Sequence, residues 1–551
     1  MTSSLQAEVS RPPKRPETRH ALWAFVALLV LFAAVSVSLL STSIDDAFIS
    51  FRYLDNWLRG DGLVFNPGEH VEGYSSFLWI ALLAVPALFG AGPQYAAPEI
   101  EWFLALGCLV LLTIGAKHAT RRSNSFFLAA SLLLAFNSSF FFWIGKGMEV
   151  VFYTALQLGF AVAVLAVQRK NAMRWRDAVG LGAIAAAAAL TRPEGVVAPA
   201  MVLATLAAVN KGRRRFHLLA LAILAAAVAG QFAFRLAYYG LLWPNTYYAK
   251  RLPPATALAA GLDYLRQFLA GQTEREAWFY ASSWASHLPV WVVCAIAGAF
   301  AAKQWRRLWP VALQMASLAA VAVYVGGDWM PAFRFLVPAI PLGCLLVGAG
   351  LSEMAGDAGV HGQVAHGQDA HATLLRRRRI AAWGLLAALA AVECVGLVAM
   401  IRSHEFRRWR HQIRNYGPMA AWLEKNARVG SLVALSDIGI IAYRNPQLRF
   451  MDVLGLTDPH IASLPGVHYL KTDMDYVLRR QPDYVLVMLF EWPKLKRIRP
   501  KTTFDEAFLA HVAKQQDYVR VANVFGWEEG LRGGRRVWFE VYARTVFYLA
   551  D

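Results

Sequence analysis

Apolar runs of about 15 to 23 residues recur along this chain, near 21–42, 102–116, 125–144, 149–168, 178–191, 195–210, 217–239, 289–302, 309–325, 335–353 and 380–401. A helix of that length bridges hydrocarbon and leaves no backbone polar group unpaired there, so about eleven membrane spans are expected. Composition agrees, since 57% of the 551 residues are hydrophobic and the mean hydropathy is +0.38, too apolar for a soluble protein and too long for one domain. The first run is about twice as long as a signal-peptide core and ends in no small-residue cleavage pattern, so it is expected to remain as a span. Cys108, Cys294, Cys344 and Cys394 all lie inside apolar runs, which argues for packing and against a disulfide framework or a cysteine metal site.

A net charge of +18 could indicate nucleic acid, but the basic residues sit in loops flanking the spans, which excludes that partner and makes the lipid bilayer the implied one. One further run, 75–91, decides the topology. If it crossed the membrane, the basic loop at 117–122 and every later basic loop would face outward. If it lies in the interface, within a first external loop at 43–101, the basic loops at 11–19, 117–122, 169–176, 211–215, 303–307 and 376–379 all fall on the cytoplasmic side. The second arrangement is expected. It places DDAFISFR, GKGMEV (145–150), TRPEG (191–195), WPNTYYAKR (243–251) and GGDWMPAFRF (326–335) together on the outer face, toward the periplasm.

Beyond the last span the composition changes. SLVALS (431–436), DYVLVML (483–489) and VWFEVYA (537–543) read as strands, with helical patterns at 420–427 and 473–480, so 402–551 is expected to be an external α/β domain. The tract at 355–375, rich in Gly and His, reads as a flexible cytoplasmic loop.

The chemistry concentrates on the outer face. Asp45 and Asp46 follow the first span directly, where carboxylates are costly unless they meet water, a cation or a substrate. They can take a proton from a hydroxyl, stabilise a cationic anomeric carbon, or hold a divalent cation (Mg, Mn or Ca) bridging a phosphate. An aspartate here would also cap a helix starting at Ala47, but capping accounts for one acid and not for two. Glu149 is a second external carboxylate. Arg52, Arg192, Lys250, Arg251 and Arg334 supply cations suited to phosphate oxygens, and Arg192 and Arg334 lie in Pro-containing breaks where snorkelling is less natural. Tyr74, Tyr247, Tyr248 and Trp329 could stack on a sugar, although aromatic residues also populate membrane interfaces by default. Asn245 and Asp328 complete the polar set in these motifs. No GxGxxG or Walker pattern supplies a nucleotide pocket.

DDAFISFRY, GLVFNPGEHVEGYSSFLW, LTRPEG, PNTYYAK, GGDWMPAFRF and SDIGIIAYRNPQLRFMDVLGLTDPHIA (436–462) resemble, as a set, the GT-C superfamily of polyprenyl-phosphate-sugar-dependent glycosyltransferases. More narrowly they are similar to the branch that holds the terminal arabinofuranosyltransferases and the arabinosyltransferases of type IV pilins. The resemblance runs in blocks from about 41 to 462 and departs in the His-rich loop. It implies a GT-C-like catalytic membrane domain over 1–401, a polyprenyl-phosphate-linked arabinofuranose as donor, a cell-envelope glycan or glycoprotein as acceptor, and a plasma-membrane location. It carries an essential first-loop aspartate over to Asp45 and Asp46, and donor-phosphate contacts to the basic positions. A transporter of a lipid-linked sugar is the alternative. It would show inverted repeats and charged groups near the midplane, and the sequence has neither pattern.

Overall fold

A computed structural model describes residues 16–40, 42–119, 125–270, 305–355, 368–492, 496–529 and 535–545. Among these residues six helices are long and apolar enough to cross a membrane: Leu22–Leu39, Pro93–Ala119, Val150–Gln168, Lys211–Tyr239, Trp305–Tyr324 and Thr373–Arg402. They coincide with six of the expected runs. Other runs emerge shorter or broken. Ser125–Phe136 stops at Asn137, whose side chain accepts from Phe140 N at 3.0 Å and so starts a second helix, Ser138–Phe142. The run 289–302, with Cys294, and most of the His-rich tract lie outside the described residues. Leu22, Trp23, Val30 and Leu31 are exposed on the first helix, as lipid-facing side chains are.

Helix Phe77–Leu88 occupies the ambiguous run. Its 12 residues extend only about 18 Å, well short of a hydrocarbon core roughly 30 Å thick. Trp79, Ile80 and Leu83 are buried while Val85 and Leu88 are exposed. That two-sided burial is what an interfacial helix requires.

The long helix Gln368–Arg402 ends at Ser403, whose hydroxyl caps the next helix by accepting from Phe406 N at 3.0 Å. The chain then builds one six-stranded sheet from β1 (Leu432–Leu435), β2 (Arg449–Asp452), β3 (Tyr484–Trp492), β4 (Arg497–Pro500), β5 (Tyr518–Glu529) and β6 (Arg535–Arg544), ordered β2-β1-β3-β6-β5 with β4 on β3. β1 pairs in parallel with β2 and β3, whereas β6 pairs antiparallel with β3 and β5. Side chains alternate across a strand. Val485, Val487 and Leu489 therefore join Phe504, Phe508 and Tyr542 in a core on one face of the sheet. Leu486 and Met488 join Val537, Phe539 and Val541 on the other, and that face is continuous with the core of the membrane half, including Ile44, Phe48 and Phe51. The sheet is thus seated on the membrane half by burial of apolar surface.

Candidate active site at the seam of the two halves

The loop that follows the first span is clamped by a glycine–lysine–glycine turn. Gly145 and Gly147 have φ of 76° and 79°, and a Cβ on Gly145 would stand 2.2 Å from the Leu39 carbonyl oxygen, so only glycine fits. The Lys146 carbonyl accepts from Ile44 N at 3.0 Å, and the fully buried Lys146 ammonium donates to Thr42 Oγ1 at 3.2 Å. Helix Asp45–Arg59 then begins at the acid pair itself, with Ile44 as its N-cap.

The two acids have different surroundings. Asp45 is 9% exposed, and its carboxylate accepts from Gly439 N at 3.1 Å and Ile440 N at 2.7 Å, which caps the helix Ile440–Arg444 of the C-terminal half. Its own backbone N donates to Gln412 Oε1 at 2.6 Å. A Cβ on Gly439 would lie 1.9 Å from the Asp45 carbonyl oxygen, so SDIGI carries glycine to let this contact close. An aspartate acting as a cap is thus realised, across the seam and not on its own helix. Burial, with the Asp437 carboxylate, pushes the Asp45 carboxyl up to about 8.

Asp46 is half-buried and has no hydrogen-bond or ion-pair partner among the described residues. Burial raises its pKa, while the charges of Lys250 and Arg334 oppose that rise. Lys250 ends the short helix Asn245–Lys250 and likewise has no close partner among the described residues. Burial lowers its pKa, with Asp46 and Asp328 working in the opposite direction. Arg334 Nε stands 2.7 Å from Asp328 Oδ2, an ion pair whose angle is not that of a hydrogen bond, leaving both atoms without a hydrogen-bond partner. The segment that carries them is strained: Ala332 and Phe333 are left-handed at φ 58° and 51°. Each such residue costs about 1–3 kcal/mol, a cost usually tolerated where side chains must be aimed.

Several expected site residues prove to be committed elsewhere. Arg52 is 2% exposed and donates to the carbonyls of Phe65 (2.8 Å), Leu448 (2.8 Å) and Ala442, between the rings of Phe65 and Phe450. Its donors are consumed by backbone, so the phosphate role expected for it is corrected to a tie between the halves. Arg192 is likewise corrected, because the buried Glu149 (2.6 Å) and the half-buried Glu194 (2.5 Å) bracket its guanidinium. That also accounts for Glu149. Asn245 is 1% exposed and donates to Gly455 O (2.8 Å) and Leu456 O (3.2 Å), again across the seam and not toward a ligand. Tyr247 is 42% exposed and packs with Trp243 and Tyr248. Trp329 lies between Trp409 and Tyr469, with ring centroids at 5.9 and 5.8 Å.

The C-terminal half adds groups that sequence reading did not single out. Asp437 pairs with Lys501 and accepts from Tyr416 Oη at 2.8 Å, and its charge acts on both Asp45 and Asp46. Asp437 lies in the SDIGI block, but a lone aspartate in a loop has no distinguishing local pattern, and Lys501 has none. Both oxygens of Asp45 accept amide hydrogens, and among the described residues no three His, Cys, Asp or Glu side chains converge as ligands for a metal ion.

The solved structure of ArnT from Cupriavidus metallidurans bound to undecaprenyl phosphate superposes with a TM-score of 0.58 over 95% of this chain and 98% of that one, at 13% identity. The chain has the GT-C fold. The archaeal oligosaccharyltransferase AglB from Archaeoglobus fulgidus, another GT-C protein, covers 91% of this chain and 79% of its own at a TM-score of 0.53 and 13% identity. In sequence, the terminal β-(1→2)-arabinofuranosyltransferase of Mycobacterium tuberculosis is 31% identical over 225 residues, covering 37% of this chain and 34% of that protein. The chain therefore matches about a third of that relative's length. A family model described as a domain of unknown function (DUF8728) matches residues 401–542, the part of this chain that carries the sheet.

Proposed function

We propose that this chain is a membrane glycosyltransferase that moves a sugar, arabinofuranose by its relatives, from a polyprenyl-phosphate donor to a hydroxyl of a cell-envelope glycan or surface protein. The observation that carries the reading is one uncommitted carboxylate, Asp46, in the field of Lys250 and Arg334 at the seam of the two halves. The similarity to an arabinofuranosyltransferase supports the sugar, and the fold shared with a protein bound to undecaprenyl phosphate supports the lipid carrier. The expected orientation, from the basic loops, puts the site on the periplasmic face of a bacterial plasma membrane.

In this mechanism the acceptor oxygen forms a bond to the anomeric carbon as the bond from that carbon to the phosphate oxygen breaks. The hydroxyl proton passes to Asp46, and the bonding electron pair leaves with the phosphate. The leaving phosphate gains a negative charge, which Lys250 and Arg334 meet in a water-poor site where such contacts are strongest. A raised carboxyl is the better proton acceptor, which suits Asp46 to its part. Asp45 holds the loop 436–440 against this centre and is a positioning residue.

Steady-state kinetics with a farnesyl-phosphoryl-arabinofuranose donor test the proposal. Loss of one cation that meets transition-state charge costs about 2–4 kcal/mol, so Lys250→Ala and Arg334→Ala should each lower kcat about 30- to 1,000-fold. Near wild-type kcat in both variants would place the phosphate elsewhere.

A further inference from the structure

Close to the Lys250 and Arg334 centre lie two buried polar atoms that the mechanism above leaves unused. Trp329 Nε1 and His468 Nδ1 are both buried and without a hydrogen-bond partner among the described residues. Such groups are uncommon in folded proteins and call for a cause, since each costs free energy while unpaired. They flank one ring. Tyr469 stands 5.8 Å from Trp329 at 86° and 4.8 Å from His468 at 61°. Trp329 follows Asp328, the partner of Arg334, in the chain, and the His468 ring lies against the backbone of Ala249, the residue before Lys250.

The two atoms are of opposite kind. An indole N–H only donates. Burial, with the charges of Lys250 and Lys471, holds the His468 imidazole down at about 3, so it is neutral near pH 7. A neutral imidazole carries one N–H and one lone pair, and with its proton on the other ring nitrogen the unpartnered Nδ1 is an acceptor. A phosphate or carboxylate would satisfy the indole and be repelled by the Nδ1 lone pair. An ammonium group would do the reverse. A neutral hydroxyl both donates and accepts, and adjacent hydroxyls on a sugar ring can meet both atoms.

We propose that Trp329, Tyr469 and His468 form the acceptor subsite, binding a hydroxylated sugar ring of the acceptor glycan by donation from Trp329 Nε1 and acceptance at His468 Nδ1. This rests on the transferase reading and extends it from the donor side to the acceptor side. It also gives the C-terminal half a share in acceptor choice, because His468 and Tyr469 belong to it and Trp329 to the membrane half.

The test uses the full chain in detergent, an octyl-linked arabinofuranosyl oligosaccharide as acceptor probe and farnesyl-phosphoryl-arabinofuranose as donor. Trp329→Phe keeps a ring and removes the N–H; His468→Phe removes the acceptor atom; His468→Asn restores an acceptor near the Nδ1 position. Each phenylalanine variant should raise the acceptor KM about tenfold or more and weaken saturation-transfer NMR signals from the probe, with donor KM unchanged. His468→Asn should recover part of the loss. An acceptor KM within twofold of wild type in both phenylalanine variants would mean that these atoms hold only a structural water, and would overturn the proposal, as would an increase in donor KM alone. A wild-type chain that binds the probe, loses it in both variants and yet transfers no sugar would sustain the subsite and refute the transferase reading.

Discussion

Asparagine in place of each acid separates their roles. Asp46→Asn removes a base that has no hydrogen bond to lose, so the fold is expected to survive while kcat falls about 10²- to 10⁴-fold, the usual contribution of general base catalysis. Asp45→Asn replaces one carboxylate oxygen by an amide NH2 that faces a backbone N–H, so one of the two bonds to Gly439 and Ile440 is lost. Leaving a buried amide donor without its acceptor costs about 1–3 kcal/mol. At 1.36 kcal/mol per tenfold, the segment around 437–442 should open about 5- to 150-fold more often. Hydrogen exchange read by mass spectrometry on a peptide covering that segment should therefore speed up in Asp45→Asn and stay unchanged in Asp46→Asn. Transfer should persist at a reduced rate in the first and be nearly lost in the second. Asp46→Asn with more than about a tenth of wild-type kcat, or Asp45→Asn with no transfer and unaltered exchange, would refute this division of labour.

The kcat profile against pH should be a bell narrower than an ordinary carboxylate and lysine would give: rate rises as Asp46 loses its proton above the usual value of about 3.9, and falls as Lys250 loses its own below the usual value of about 10.4. Limbs at the ordinary values would exclude this pair. Arg192→Met leaves Glu149 buried without its cation, so the variant should lose about 3–5 kcal/mol of stability and melt lower in detergent; an unchanged Tm with a raised donor KM would return Arg192 to the donor site. Cysteine at Asp61, exposed in the loop after the first span, should react with an impermeant maleimide on intact cells, whereas cysteine at Gly212 should react only after permeabilisation. The opposite pattern would invert the topology.

Apolar runs determined the membrane class and the turn into an α/β region, because hydrophobicity and span length act locally and each run carries its own signal. The strands around 432, 484 and 537 were legible for the same reason, being short apolar runs buried on both faces. The acid pair pointed to the proposed site, and the residue types at 250, 328 and 334 to its other side. What only the tertiary structure decided is which of these groups is free. Arg52 and Lys250 are both single cations in polar motifs, yet one is surrounded by carbonyls and the other faces Asp46. Asp45 and Asp46 are adjacent in the chain, but a helix turns successive side chains about 100° apart, so one carboxylate meets the Gly439 and Ile440 amides, some 394 residues away in the chain, and the other does not. That difference depends on where the sheet docks, and docking is decided by contacts between distant segments that no local pattern records.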